Sequence, residues 1–419
     1  MQLLVGLTIC SGGGGAVRCP GEPARPGEVR RHNLGLLLTQ VHRRGVLSRV
    51  ELTEFSGLNR STVGGLVAVL DRLGLVTERV PTGRERAGRP SYLVGPRPDG
   101  PYVIAVDVEI DHLVIAVVGL GGGVLARVDR ALPAGTIDAA RVVSVIADGV
   151  VALAGSLPAG AWPVGIGVSI PGTVRRGDGG VEHAPNLGWR DEPVTDRLST
   201  RLGHRLPVRL GNDADLGVLA EHRRGVGRGS DNVVYLAGNV GIGGGLIVDG
   251  RQLSGLAGFA GEIGHMVLDP AGPPCQCGSR GCLETFVGDA ALLRFSGRDA
   301  TPGQGSVAAV IAAARAGDQR ALDGVGMVGR WLGLGIANVV NLLNPELVIV
   351  GGSLAAVLEL AGAEIACQLD RHAMPAARRG LRLCVPGLGR DSSLLGAAEL
   401  AFESLLHDPV QTCAARQRG

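Results

Sequence analysis

The sequence predicts an N-terminal all-α, winged helix-turn-helix domain followed by two α/β lobes. Three observations carry this. Over residues 29–74 apolar positions recur at helical spacing in three short blocks. Two extended runs joined by an arginine-rich turn follow them. Beyond the proline-rich break PRPDGP (96–101) the texture changes to strand-length apolar runs separated by glycine-rich turns, and this pattern occurs twice. At 419 residues the chain is long enough for two or three such units.

Ahead of the first block, MQLLVGLTICSGGGGAVRCP has an apolar start but no positive charge of the kind that opens a signal peptide, and it is too short to span a bilayer. Residues 1–27 are therefore expected to be a disordered leader, or the product of an over-long start assignment. Elsewhere no uninterrupted apolar run approaches membrane length, so a soluble cytoplasmic protein is expected. All 41 basic residues are arginine and glycine numbers 69, which a coding bias explains, so arginine abundance alone carries no functional weight. Its distribution does. Residues 24–97 hold thirteen Arg against six Asp or Glu, a balance of +7 within a chain whose net charge is +2. A basic front end points to nucleic acid.

Within the front domain (28–95), breaks fall near GVLS (45–48) and SGLNRST (56–62). Gly57 can make the turn, Asn59 or Arg60 starts the second helix of the motif, and Asn59, Arg60, Ser61 and Thr62 sit at its N-terminal end, where side chains reach base edges and phosphates. The run TERVPTGRERAGRPSYLV forms the wing, whose Arg84, Arg86 and Arg89 face phosphate or the minor groove. A helical bundle for protein contact, with a solvated basic loop, is the alternative.

Residues 96–101 are read as a connector. The first α/β lobe (102–214) opens with a three-strand meander in YVIAVDVEIDHLVIAVVGLGGGVLARVDRAL, continues through a helix in RVVSVIADGVVALAG and returns to strand at VGIGVSIPG. The second lobe (215–387) has a glycine-punctuated strand pair in NVVYLAGNVGIGGGLIVDGRQL, a cysteine-rich segment, helices around 305–344 and the strand ELVIVGG. SGRDATPGQGS (296–306) is expected to be an exposed loop.

Of eight cysteines, five are scattered and three cluster, which suits a reduced compartment. His265, Cys275, Cys277 and Cys282 supply one imidazole and three thiolates, a set that favours tetrahedral, structural Zn2+. Glu262 and Glu284 flank these ligands. Stiffly held acids suit recognition of a polyhydroxyl compound, although acids on the surface of a zinc knuckle read the same way. In LGNDADLG, Asn212 and Asp213 follow an apolar run and fall at a strand end, where α/β sites gather. Asp213 can take a proton from a substrate hydroxyl that Asn212 positions; ordinary turn chemistry is the alternative.

Taken together, AGEIGHMVLDPAGPPCQCGSRGCLE, LGNDAD, NVGIGGGLIVDG and NVVNLLNPELVIVGG resemble the ROK family of bacterial sugar kinases and sugar-responsive repressors over residues 101–407. The winged domain ahead of them is similar to that of the repressor branch. The resemblance implies an actin-like, two-lobed hexokinase or RNase H-type fold, with the C-terminal helix (388–407) returning to the first lobe. It implies a sugar in the cleft, met by Asn212, Asp213, Glu262, His265 and Glu284, with one nitrogen of His265 on zinc and the other facing the sugar. Asn186 in HAPNLGW lies in a segment similar to the family's cleft-lining loop, or in a simple Asn-Leu-Gly turn.

Family kinases open the first lobe with an Asp-x-Gly-x-Thr hairpin. Here DVEIDH keeps Asp107 but places Glu109 and Asp111 at the Gly and Thr positions, and acids there repel a triphosphate. In the second phosphate loop GIGGG (241–245) persists, with Asn239 and Val240 in place of Gly-Thr. The expectation is a DNA-binding regulator controlled by a sugar, acting on operator DNA as a homodimer or homotetramer, without ATP and magnesium. A sugar kinase using Asp213 as base is the alternative.

Overall fold

The computed structural model describes residues 26–81, 91–133, 136–155, 157–298 and 304–416. Three helices open the chain, Pro26–Arg44, Arg49–Ser56 and Arg60–Arg72. Ser48 and Glu51 form a reciprocal capping box at the start of the second, and Gly57, in the left-handed region at φ 66°, ends it. Asn59 caps the third by accepting the Thr62 N–H at 2.8 Å. The strands Val76–Arg79 and Leu93–Pro96 pair antiparallel as the sides of a wing, with Leu47–Ser48 on the far side of Leu93–Pro96. The wing tip, with Arg84, Arg86 and Arg89, lies outside the described residues.

The connector is less open than its composition suggests. Gly100 and Pro101 are buried, and Pro101 already belongs to a strand. That strand, Pro101–Val108, is buried at every position, because it is central in a five-stranded sheet covered on both faces. Trp162–Ile170 and then Val208–Asn212 run parallel to it on one side. His112–Gly119 and Val124–Ala131 complete the expected meander on the other. One face takes the helices Ala139–Ala154 and Val194–Arg201, with Ile104, Ile115, Ile146 and Leu198 among its core.

The second sheet has the order Arg251–Gln252, Ile242–Val248, Val233–Gly238, Leu347–Gly352, Arg382–Cys384. The helical region expected at 305–344 is two helices, Gln304–Arg315 and Gln319–Leu343. Of the exposed loop expected at 296–306, Ser296 is buried at the end of the preceding helix, Gly297 and Arg298 are exposed, residues 299–303 lie outside the described residues, and 304–306 already belong to a helix. Among the described residues, Gln319–Leu343 is the one helix long and apolar enough to cross a membrane, and more than half of it is buried in the core of this lobe.

Two helices lie between the sheets and pack on each other, Asp213–Arg224 and Ser392–His407. Ala214 and Val218 of the former face the second sheet, whereas Leu216 and Leu219 join the core of the first lobe. That core is shared with the winged domain: Leu37, Val41 and Leu70 belong to one buried cluster with Ala105, Ala116 and Phe402. The first helix also approaches the end of Ser392–His407 so closely that a Cβ on Gly35 would sit 2.5 Å from the Leu406 carbonyl oxygen.

Candidate functional site

The cysteine segment folds into a knuckle. Isolated bridges pair Val267 with Cys282 and Pro274 with Arg280, and the Cys275 N–H donates to the Ser279 carbonyl at 2.9 Å. This brings donor atoms of His265, Cys275, Cys277 and Cys282 within 4.8 Å of one another. The Cys277 and Cys282 sulfurs are 3.7 Å apart, and Cys275 Sγ is 3.6 Å from His265 Nδ1. A tetrahedron with Zn–S bonds of about 2.3 Å has S···S edges of about 3.8 Å, which the Cys277–Cys282 pair matches, and one imidazole with three thiols is a donor set that suits zinc.

His265 turns Nδ1 to the sulfurs and Nε2 towards Glu262, whose Oε2 is 3.9 Å away. Glu284, two residues past Cys282, accepts the Ile242 N–H at 3.0 Å through Oε2 and so pins the knuckle to the strand Ile242–Val248. Burial raises the pKa of Glu262; the neighbouring His265 opposes this and Glu284 adds to it.

Across the cleft, strand Val208–Asn212 runs directly into helix Asp213–Arg224. Asn212 is the N-cap: its Oδ1 accepts from the amides of Ala214 and Asp215, and its Nδ2 donates to the Gly172 carbonyl at 3.0 Å. Asp213 accepts the Ala214 N–H at 2.9 Å, and burial pushes its pKa up to about 6, with Glu109 and Glu262 adding repulsion. A small cavity is lined by Asn212 and Glu262 together with Thr173, Asp215, Gly243 and Gly244. Asp215 and Thr173 escaped the sequence reading. Burial pushes the Asp215 carboxyl up to about 7, and its Oδ1 is a buried oxygen with no hydrogen-bond partner. The available signal was the Asp-Ala-Asp spacing at a strand-to-helix junction. Asn186 is half-buried in the turn Pro185–Leu187, which Gly188 closes at φ 75°, and does not line that cavity.

The DVEIDH hairpin is tied to itself. His112 stands between Asp111, 2.7 Å from Nδ1, and Glu109, 3.1 Å from Nε2, while the Glu109 N–H donates to the His112 carbonyl at 2.9 Å. The acids are thus partly neutralised by an imidazole that they hold between them. Asp107 behind them is buried, and this pushes its pKa up to about 7, with Glu109 and Asp213 contributing. The glycine run of the second loop has a packing reason: a Cβ on Gly244 would lie 2.3 Å from the Gly261 carbonyl oxygen.

On the winged domain, Arg60 and Ser61 are exposed at the start of the third helix and Thr62 is half-buried. Asn59 is committed to its cap, because its Oδ1 also accepts the Ser61 hydroxyl at 2.8 Å. Behind the motif, Arg49 is held by both carboxylate oxygens of Glu78 and lies 5.1 Å from the centre of the Tyr92 ring.

Two lobes with a shared cleft, a knuckle of one histidine and three cysteines, and a winged domain in front define a class of sugar-domain regulators. Residues 103–404 match the ROK family, and the chain belongs to it. It is 28% identical to the xylose repressor of Bacillus subtilis over 380 residues, which cover 90% of this chain and 97% of that protein. The crystal structure of a ROK family transcriptional regulator, a homologue of the E. coli MLC protein, superposes with a TM-score of 0.75 at 28% identity, covering 93% of this chain and all of that one. A ROK family glucokinase from Streptomyces griseus, in complex with glucose and AMPPNP, superposes with a TM-score of 0.60 at 30% identity but covers 71% of this chain and 98% of its own. The kinase therefore matches a smaller share of the chain than either regulator. The layout is that of the family's repressor branch.

Proposed function

We propose that the protein is a transcriptional repressor that binds operator DNA through its winged domain and is controlled by a sugar or sugar derivative in the cleft between the lobes. The observation that carries this reading is a basic winged domain built onto the ROK domain through a common core, in a chain that aligns with repressors over nearly its whole length. In this reading Arg60 and Ser61, with the wing arginines Arg84, Arg86 and Arg89, meet DNA, and Asn59 holds the helix end in place. Asn212, Asp213, Glu262, His265 and Glu284 receive sugar hydroxyls, joined by Asp215. Zn2+ on His265, Cys275, Cys277 and Cys282 supplies a fixed orientation and tautomer for the imidazole. The protein acts in the cytoplasm as a homodimer or homotetramer, because operator half-sites demand a two-fold partner whose spacing a sugar can alter.

Thermal unfolding of zinc-loaded protein across a panel of unphosphorylated sugars, each with and without magnesium ATP, tests this. Stabilisation by one sugar with nothing added by ATP is expected. Full-length protein should also bind duplex DNA with strong salt dependence, and binding no tighter than a neutral protein at low salt sinks the DNA assignment. Asp213 keeps a second reading alive, an ATP-dependent sugar kinase. Its mark is sugar-dependent consumption of ATP, which the self-tied DVEIDH hairpin argues against.

A further inference from the structure

A cluster of buried charged groups joins the three parts of the molecule far from the cleft. His42, in the last turn of the first helix, and Glu399, in the middle of Ser392–His407, are 0% and 1% exposed, with His42 Nε2 3.0 Å from Glu399 Oε1. Arg224, in the last turn of Asp213–Arg224, binds the same Glu399 oxygen. Its neighbour Arg223 donates to the other oxygen at 3.2 Å. Arg224 also donates to the Gly121 carbonyl at 2.7 Å, and the Gly121 N–H donates back to His42 Nδ1 at 3.1 Å. Nδ1 is therefore the acceptor for Gly121, while Nε2 faces both Glu399 and, at 2.5 Å, the Arg224 guanidinium, so one ring meets the carboxylate and the arginine together. Each group is thereby fixed by a partner on a different element.

The placement matters more than the strength. Helix Asp213–Arg224 starts at Asn212 and Asp213 in the cleft and ends at Arg223 and Arg224 in this cluster, a rigid rod of roughly 18 Å. His42 lies three residues before Gly45, where the chain turns towards Leu47–Ser48 and the helix-turn-helix. The two middle helices cannot slide freely, because a Cβ on Gly396 would lie 2.0 Å from the Leu216 carbonyl oxygen.

We propose that the His42–Glu399–Arg224 cluster is the mechanical link that passes movement of helix Asp213–Arg224 at the cleft to the DNA-binding domain. The link rests on the assignment of the cleft as the sugar site, but its mechanical part stands without a ligand.

Hydrogen–deuterium exchange on the full-length, sugar-free protein decides it. Replacement of His42 by Leu removes the contact to Glu399 and the acceptor for Gly121, whereas replacement by Gln can keep both. The expectation is that His42→Leu speeds exchange at amides 214–217, at the far end of the helix, on the order of tenfold, and that His42→Gln restores it. Faster exchange confined to residues 26–44 and 119–123 overturns the proposal. Should His42→Leu fail to fold, Glu399→Gln is read at the same amides with the same two outcomes. A second arm adds D-xylose or D-glucose to wild type and to the variant: a link that carries the signal leaves sugar stabilisation in place and abolishes the exchange response at residues 26–44. If neither these nor any other sugar stabilises the wild type, the sugar assignment fails, and the sugar-free comparison still decides the link.

Discussion

His42 and Asp107 are buried ionisable groups whose protons act on stability in opposite senses. Burial lowers the His42 pKa from its ordinary value, partly offset by Glu399 and reinforced by the two arginines. The folded state then binds fewer protons than the unfolded chain, so the contribution of His42 is complete above its unfolded value near 6.5 and is lost as pH falls below it. Asp107 is held protonated up to about 7, against about 3.9 unfolded, so folding is penalised progressively as pH rises between those values. Asp107→Asn should therefore stabilise the protein at pH 8 by on the order of 2–4 kcal/mol and leave it nearly unchanged at pH 4, as measured by denaturant unfolding at the two pH values. Cys275→Ser, which removes one of the proposed zinc ligands, should lower the thermal midpoint of zinc-loaded protein and abolish sugar stabilisation together, since the cysteine cluster and the Glu262–His265 pair share one knuckle. A variant that loses the metal but keeps its sugar response would refute that dependence. The gathering of His265, Cys275, Cys277 and Cys282 into one cluster was legible at this scale because the four fall within eighteen positions. Glu399 as partner of His42 was not, because 357 residues separate them and neither lies in a motif.

Helix termini carry much of the proposed site, and this changes how variants must be read. Asn212 caps Asp213–Arg224 with two amides on one oxygen, so Asn212→Ala should cost about 1 kcal/mol in stability through the cap alone, before any loss of sugar contact. Glu262→Gln leaves every cap intact and is the cleaner probe; we expect it to weaken sugar binding with little change in the sugar-free melting temperature. At the other functional end, Arg60→Ala should reduce DNA affinity and lower the slope of log K against log salt by about 1 if it meets a single phosphate, and Asn59→Ala should act instead through the helix start. The element pattern was readable in advance because capping residues, a turn glycine and strand-length apolar runs all report locally. The hairpin DVEIDH shows the limit of such reading. Its acids were visible in the sequence, but their clasp on His112 depends on the turn that brings the three side chains round one another.

At the scale of the whole molecule, the winged domain is docked and not tethered. Gly35 permits backbone contact with the end of Ser392–His407, and Leu37, Val41 and Leu70 share a core with the first lobe. Gly35→Leu should separate the two units, so that calorimetry resolves two unfolding transitions where wild type shows one. The sequence pointed to a boundary at PRPDGP because proline and glycine punctuate it. Burial of one side of that boundary against the other is set by tertiary packing, which a local pattern does not report. The common core also limits how such proteins can exchange parts. A recombination joint placed at the PRPDGP segment would bring a foreign operator reader onto a surface shaped for Leu37 and Val41, and leave Glu399 facing whatever replaced His42. A working chimaera would have to take the helix Ser392–His407 from the same parent as residues 26–96, so the reader of one regulator travels with the tail of its own chain.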